Sequence, residues 1–146
     1  MIRRMENGDI PSVVKLEQTC FEEPWSSQSL ESYVNNKDAV FLVSESNGEI
    51  AGYAGMYYVY PEGYITNVAV FEKFRNQGIA TQILKKIFEI SEKEGVDRCS
   101  LEVRVSNQAA IHVYEKMGFQ GVGERKNFYD NPTENALIMW KEYRSE

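Results

Sequence analysis

The first apolar positions of the chain fall at helical spacing. Ile10, Val13 and Val14 recur three and four apart, with Glu17 next in the series. They follow Asp9-Ile10-Pro11, which offers a capping carboxylate and a proline for a first turn. Leu30, Tyr33 and Val34 form a second stripe behind a start at Pro24-Trp25-Ser26. The pattern then becomes β-like. Val40-Phe41-Leu42-Val43 leads to Asn47-Gly48, the strongest short hairpin signal, and Ile50 to Val59 is the returning strand. Pro61-Glu62-Gly63 marks a further turn, and Tyr64 to Val70 a third strand. The first half therefore predicts two helices followed by an antiparallel meander.

Beyond Val70 the helical period returns. A helix is predicted from about Gly78 to Glu94, with Ile83, Leu84, Ile87, Phe88 and Ser91 on one side and Gly95 as its stop. Cys99 to Val103 reads as a strand: Cys99, Leu101 and Val103 face one way, Ser100, Glu102 and Arg104 the other. Asn107 to Met117 is a short helix closed by Gly118, and Gln120–Lys126 and Ala136–Lys141 are two final strands. No repeat, low-complexity stretch or linker interrupts this order. The expectation is one α/β domain over residues 1–146, a mixed sheet in which an antiparallel meander leads into a strand–helix–strand unit, with helices on both faces.

Composition narrows the function classes. With 42% apolar residues the chain has material for a core, which argues against disorder. The net charge is −6 without a basic run, so direct nucleic-acid binding is not expected, while a basic protein or peptide is a compatible partner. Cys20 and Cys99 have neither metal nor redox spacing and read as free packing thiols. The start MIRRMENGD has no apolar leader, and no apolar run reaches membrane length, so a cytoplasmic monomer without a membrane partner is expected. His112, the single histidine, has no nucleophile or second ligand placed by the sequence and falls on the far side of its helix from Tyr114.

The segment with chemical content is Val68-Ala69-Val70-Phe71-Glu72-Lys73-Phe74-Arg75-Asn76-Gln77-Gly78-Ile79-Ala80-Thr81. A strand ends, a loop turns, and a helix begins where Gly78 and Ala80 leave the backbone uncovered. Free N–H groups of a first helical turn, together with the helix dipole, make an anion site suited to a pyrophosphate. No Gly-Lys-Ser/Thr follows, so this is not a Walker loop, and the glycine spacing is not that of a dinucleotide fingerprint. On these residues alone, Gly78 could equally serve only to relax a tight strand–helix turn.

Arg75-Asn76-Gln77-Gly78-Ile79-Ala80 resembles the Arg/Gln-x-x-Gly-x-Gly/Ala signature of the GNAT acetyltransferase superfamily. Leu101-Glu102-Val103-Arg104-Val105-Ser106-Asn107, followed by Ala109-Ala110-Ile111-His112-Val113-Tyr114-Glu115-Lys116-Met117-Gly118-Phe119, is similar to the C-terminal motif of N-terminal acetyltransferases. Pro24-Trp25-Ser26, Arg125-Lys126-Asn127-Phe128-Tyr129 and Glu134-Asn135-Ala136 resemble the RimI-type ribosomal-protein-alanine N-acetyltransferases. The likeness covers essentially the whole chain, in order. It departs at Phe128, where the family usually has Tyr, and at Asn135, where it usually has Asp. Both departures lie in the tail that shapes the acceptor site, so they bear on the peptide and not on the reaction.

The resemblance implies acetyl-coenzyme A as co-substrate, no metal, and direct acetyl transfer to a peptide α-amine, that of an N-terminal alanine on a basic ribosomal protein. Arg75, Asn76, Gln77, Gly78, Ile79, Ala80 and Thr81 would hold the pyrophosphate. The backbone of Val68, Ala69 and Val70 would pair with the pantetheine amides as an added strand and supply an oxyanion donor. Glu102 takes the position of the family's base, although its side chain alone also reads as a surface carboxylate paired with Arg104. Tyr114 takes the position of the acid for the coenzyme A sulfur, although Ile111, Tyr114 and Met117 also form an apolar stripe. Asn107 would cap its helix, hold pantetheine, or both. Two rivals are a GNAT enzyme for another N-terminus, lysine or small amine, and a catalytically silent acyl-coenzyme A-binding domain.

Overall fold

A computed structural model describes residues 1–143. The elements run β1 (Ile2–Arg4), α1 (Ile10–Cys20), α2 (Ser27–Val34), β2 (Ala39–Ser46), β3 (Glu49–Val59), β4 (Glu62–Val70), α3 (Ile79–Lys93), β5 (Arg98–Arg104), α4 (Gln108–Lys116), β6 (Gln120–Tyr129) and β7 (Glu134–Glu142), with 3-10 turns at Asn7–Asp9 and Glu72–Phe74. The strands form one seven-stranded sheet in the order β1-β2-β3-β4-β5-β7-β6. Every neighbouring pair is antiparallel except β4 and β5, which run parallel around the crossover through α3. The expected α/β architecture is therefore present: a meander, then a strand–helix–strand unit.

Two apolar layers cover the two faces. On one face, Ile83, Leu84 and Ile87 of α3 and Ile111 of α4 pack on Val40, Leu42, Ala54, Met56, Leu101 and Val103. On the other, Val13 and Leu16 of α1 and Leu30 of α2 pack on Phe41, Val43, Tyr53 and Ala69. The alternation read for β5 holds, because Cys99, Leu101 and Val103 all point into the α3–α4 layer. Asn47 and Gly48 both take positive φ, 52° and 80°, as a two-residue hairpin turn demands. Gly95 closes α3 with a φ of 105°.

The structure corrects several details. The segment Ile2–Arg4 is a strand paired with β2, although its sequence carries no alternating stripe. Asp9 sits at the N-cap of α1, but its side chain makes no capping hydrogen bond to that helix. Its carboxylate accepts from the Glu6 N–H at 2.8 Å and from both terminal nitrogens of Arg3 at 2.7 and 2.9 Å, closing the 3-10 turn instead. Glu62 and Gly63, read as a turn, already belong to β4. Cys99 is buried, but Cys20 is only half-buried and lines a cleft. Among the described residues no helix is long and apolar enough to cross a membrane.

Candidate active site

The sheet itself opens the site. β4 and β5 are in register only over Glu62–Arg98, Gly63–Cys99 and Tyr64–Ser100. At that closed end Arg98 donates to Glu62 at 2.6 Å, Tyr64 donates to the same carboxylate at 2.8 Å, and the Arg98 guanidinium lies 4.8 Å from the ring centre of Trp140. Beyond Tyr64 and Ser100 the two strands part. β4 also bulges against β3 there: Ala54 faces Val68 and Met56 faces Ile65, so Thr66 and Asn67 together oppose Gly55. A bulge bends its strand, and this one steers β4 away from β5 where the side chains of the site are needed.

The gap between the strands is a cleft of about 580 Å³ lined by Ile65 to Val68 of β4, Leu101 to Arg104 of β5, Asn107, Ala110 and Tyr114 of the α4 end, Phe128 to Asp130, and Glu17 with Cys20 to Glu23 at the end of α1. Glu102 points to the α1–α2 side of the sheet, since its neighbours Leu101 and Val103 face α3 and α4. Tyr114, on α4, comes from the opposite side and packs its ring edge-on to Phe119 at 5.8 Å. A carboxylate and a phenol thus approach one opening from opposite faces of the sheet. Burial alone raises the Tyr114 hydroxyl above its ordinary pKa, so it holds its proton.

The remaining polar groups are arranged around these two. Glu102 is paired with Arg125 of β6, at 3.7 Å, and not with Arg104 as its own strand suggested. Arg104 is spent elsewhere: it donates to Glu134 at 3.1 Å and to the carbonyls of Pro132 and Asp130, and lies 4.5 Å from the Tyr129 ring centre. Burial, and then Glu102 nearby, push the Tyr129 hydroxyl up to about 12. Asn107 is the N-cap of α4, its Oδ1 accepting from the Ala110 N–H at 3.2 Å. His112 is exposed, as its place on α4 predicted.

Of the expected coenzyme groups, Val68 and Asn107 line the cleft, whereas Ala69, Val70 and the run Arg75 to Thr81 lie outside its lining, further along β4 and at the start of α3. The edge of Val68–Val70 lies past the last β4–β5 pair; alternation leaves the Val68 and Val70 groups on that edge, Ala69 being paired to Tyr53 of β3, and the Val70 carbonyl is already taken by Arg75. Phe71 leaves the strand into the 3-10 turn, Asn76 and Gly78 take left-handed φ of 64° and 76°, and Gly78 is the N-cap of the fifteen-residue α3. A Cβ built on Gly78 would meet nothing nearer than Gln82 Nε2 at 4.0 Å, so the approach to the first N–H groups is clear. The left-handed turn aims those groups outward, and Ile79, Ala80 and Thr81 form the turn that carries them. This cradle fits an anionic pyrophosphate running into an extended chain along β4. Arg75 does not project freely. It donates to the Val70 carbonyl at 3.0 Å and to Cys20 Sγ at 3.5 Å.

Sequence reading missed Glu17, whose fully buried carboxylate accepts from Tyr53, Asn67 and Trp25. Its only signal was a charged residue continuing the apolar stripe of α1. A second depression of about 640 Å³, between Arg3, Asp9, Glu45, Lys73 and their neighbours, holds none of the expected site residues, and Phe71 to Phe74 of the loop after β4 line it. Five of its charged residues are cross-paired, Arg3 with Asp9 and Glu45, and Lys73 with Glu49.

Known proteins share this fold. The model of the acetyltransferase (GNAT) family matches residues 10–119. The chain is 38% identical to a Bacillus subtilis (strain 168) protein provisionally named ribosomal protein bS18-alanine N-acetyltransferase, over 95% of this chain and 93% of that protein. It is 34% identical to the Escherichia coli (strain K12) ribosomal protein bS18-alanine N-acetyltransferase, over 94% of each. The crystal structure of the ribosomal-protein-S18-alanine N-acetyltransferase from Escherichia coli superposes with a TM-score of 0.90 at 31% identity, covering 100% of this chain and 95% of that one. The chain belongs to the GNAT acetyltransferase family and is an acetyl-coenzyme A-dependent N-acetyltransferase.

Proposed function

We propose that this single domain acetylates the N-terminal α-amine of a ribosomal protein, an alanine as in the relatives' names, by direct attack on the thioester. The observation that carries the reading is the pairing across the cleft of Glu102 on the α1–α2 face and Tyr114 on the α3–α4 face. An α-amine has an ordinary pKa of about 8 and is mostly protonated at neutral pH. Glu102 takes that proton, directly or through a water, on the side from which the amine arrives. The acyl donor is held on the other side by the α3 N-terminus and the open edge of Val68–Val70, with Asn107 capping α4 beside it. An N–H of that edge donates to the thioester oxygen as charge develops. Tyr114, kept protonated by its burial, gives its proton to the departing sulfur as the C–S bond breaks, and the second proton shed by the amine nitrogen on collapse to the amide restores the phenol through water.

The mouth of the cleft on the acceptor side carries Glu22, Glu23 and Asp130, which suits a cationic peptide better than an acidic one. Two measurements test the proposal together. Mass spectrometry of protein N-termini from cells with and without the gene should show one small basic ribosomal protein losing its N-terminal acetyl group. Purified enzyme should acetylate an Ala-starting basic peptide and leave the same peptide, blocked at its α-amine, and polyamines untouched. Turnover of polyamines or of the blocked peptide's lysines at comparable rates would overturn it.

A further inference from the structure

The carboxylate of Glu17 joins two parts of the cleft that the chain keeps far apart. Glu17 lies in the last turns of α1 and is fully buried. Its backbone carbonyl accepts from the Phe21 N–H at 2.9 Å and its Oε1 from the Trp25 N–H at 2.8 Å. One residue therefore closes both ends of the loop Phe21–Trp25, which contributes Phe21, Glu22 and Glu23 to the acceptor side of the cleft. Trp25 is further locked by stacking on Tyr33 at 5.4 Å. The other oxygen, Oε2, accepts from the Tyr53 hydroxyl of β3 and from Asn67 Nδ2 at 2.8 Å. Asn67 is in the β4 bulge, immediately before Val68, and its amide also donates to the Tyr53 hydroxyl at 3.1 Å.

Burying a carboxylate is costly unless donors satisfy it, and three donors converge here. Three donors take three of its roughly four lone-pair positions and the side chain is fully buried, so it is placed to be held and not to reach substrate as a base would. What the arrangement does is set a distance: the acceptor loop and the bulge that begins the coenzyme-binding edge are tied to the same two oxygen atoms. We infer that Glu17 is a positioning residue that holds the acceptor loop in register with β4, so that the amine meets the thioester at reacting distance. This rests on the acetyl-transfer reading of the cleft. Misplacement of reactants by about 1 Å can cost on the order of 10²-fold in rate, so such a tie acts on catalysis without touching substrate.

The test separates position from charge. Glu17→Leu keeps most of the volume and removes every acceptor. Glu17→Gln keeps an oxygen for Trp25, and its new amide can donate to the Asn67 oxygen once the Asn67 amide rotates, with Tyr53 donating to that same oxygen. Steady-state kinetics with an Ala-starting basic peptide, calorimetry with acetyl-coenzyme A and thermal melts are run on both. The expected result for Glu17→Leu is an acceptor KM raised about tenfold and kcat lowered about tenfold, with acetyl-coenzyme A Kd changed by less than about threefold. Glu17→Gln should stay within about threefold of wild type in all three constants.

If Glu17→Leu does not fold, Asn67→Ala cuts only the link to β4 and is read by the same criteria. An unchanged acceptor KM in a folded Glu17→Leu or Asn67→Ala protein overturns the inference. So does a Glu17→Gln protein as impaired as Glu17→Leu, which would make the charge itself the active element. Wild-type protein that fails to acetylate the peptide at all would overturn the acceptor reading instead, so the two failures are distinguishable.

Discussion

Replacing Tyr114 by Phe removes one hydroxyl and keeps the ring, so it separates packing from proton transfer. The ring sits in the α3–α4 layer and meets Phe119 edge-on at 5.8 Å, a contact that Phe reproduces. Among the described residues nothing hydrogen-bonds to the Tyr114 hydroxyl, so no native partner is orphaned by its loss. Stability should therefore change by less than about 0.5 kcal/mol, which for a chain of this size is about 1–2 °C in Tm. Loss of a general acid should lower kcat by roughly 10²-fold, about 2.7 kcal/mol of barrier. The predicted rate effect is thus several times larger than the predicted stability effect, and a melt plus a thiol-release assay resolves them. The pH dependence has a definite sign. Burial lifts the hydroxyl above its ordinary value of about 10, so the proton-donating form persists across pH 6–9 and wild-type kcat should show no alkaline fall there. An aryl acetyl thioester, whose thiol leaves without help, should be used by Tyr114→Phe with a much smaller defect. Equal defects for aryl and alkyl thioesters, or no defect with either, would refute the acid role and leave Tyr114 a packing residue.

Four further outcomes are expected. Glu102→Gln should lower kcat by about 10²–10⁴-fold with acetyl-coenzyme A affinity nearly unchanged, read by steady-state kinetics and calorimetry. Gly78→Val puts a branched side chain at a φ of 76° and into the open approach to α3, so it should cost about 1–2 kcal/mol in a melt and weaken acetyl-coenzyme A binding at least about tenfold. In the native protein a thiol reagent should titrate Cys20 rapidly and Cys99 only on unfolding, because burial excludes the reagent from Cys99 and pushes its thiol up to about 12. Hydrogen bonding to Arg3 holds the Asp9 carboxyl below its ordinary value, so its contribution is present above about pH 4 and lost as pH falls below that. Asp9→Asn should accordingly lower Tm at pH 7, and its gap to the wild-type Tm should narrow as pH falls below about 4.

Much of this molecule was legible in its residues because the signals are local. Helices α1 to α4, the Asn47-Gly48 turn and six of the seven strands follow from side-chain period, caps and glycines acting over a few residues. The α3 start could be read as an anion site for the same reason, since Gly78 and the first N–H groups are neighbours in the chain. Glu102 and Tyr114 were found through the motif around them, and each also had a plain packing or surface explanation. What brought them into one cleft is the parting of β4 and β5 after Tyr64 and Ser100, and that depends on partners from elsewhere. The β4 bulge is set against β3, and the closed end is clamped by Arg98 on Glu62, thirty-six positions away. The edge strand Ile2–Arg4 exists because β2 offers it a ladder, not because its own sequence alternates. The ion partner of Glu102 is Arg125 of the outermost strand, which the β5–β7–β6 order carries toward it in place of Arg104. Glu17 reaches Asn67 across fifty positions, and nothing within a few residues of either announces the other. Local periodicity and capping determined which elements form. The distances between groups of the site were decided only when strands and helices packed, because buried polar atoms must find donors wherever the fold presents them.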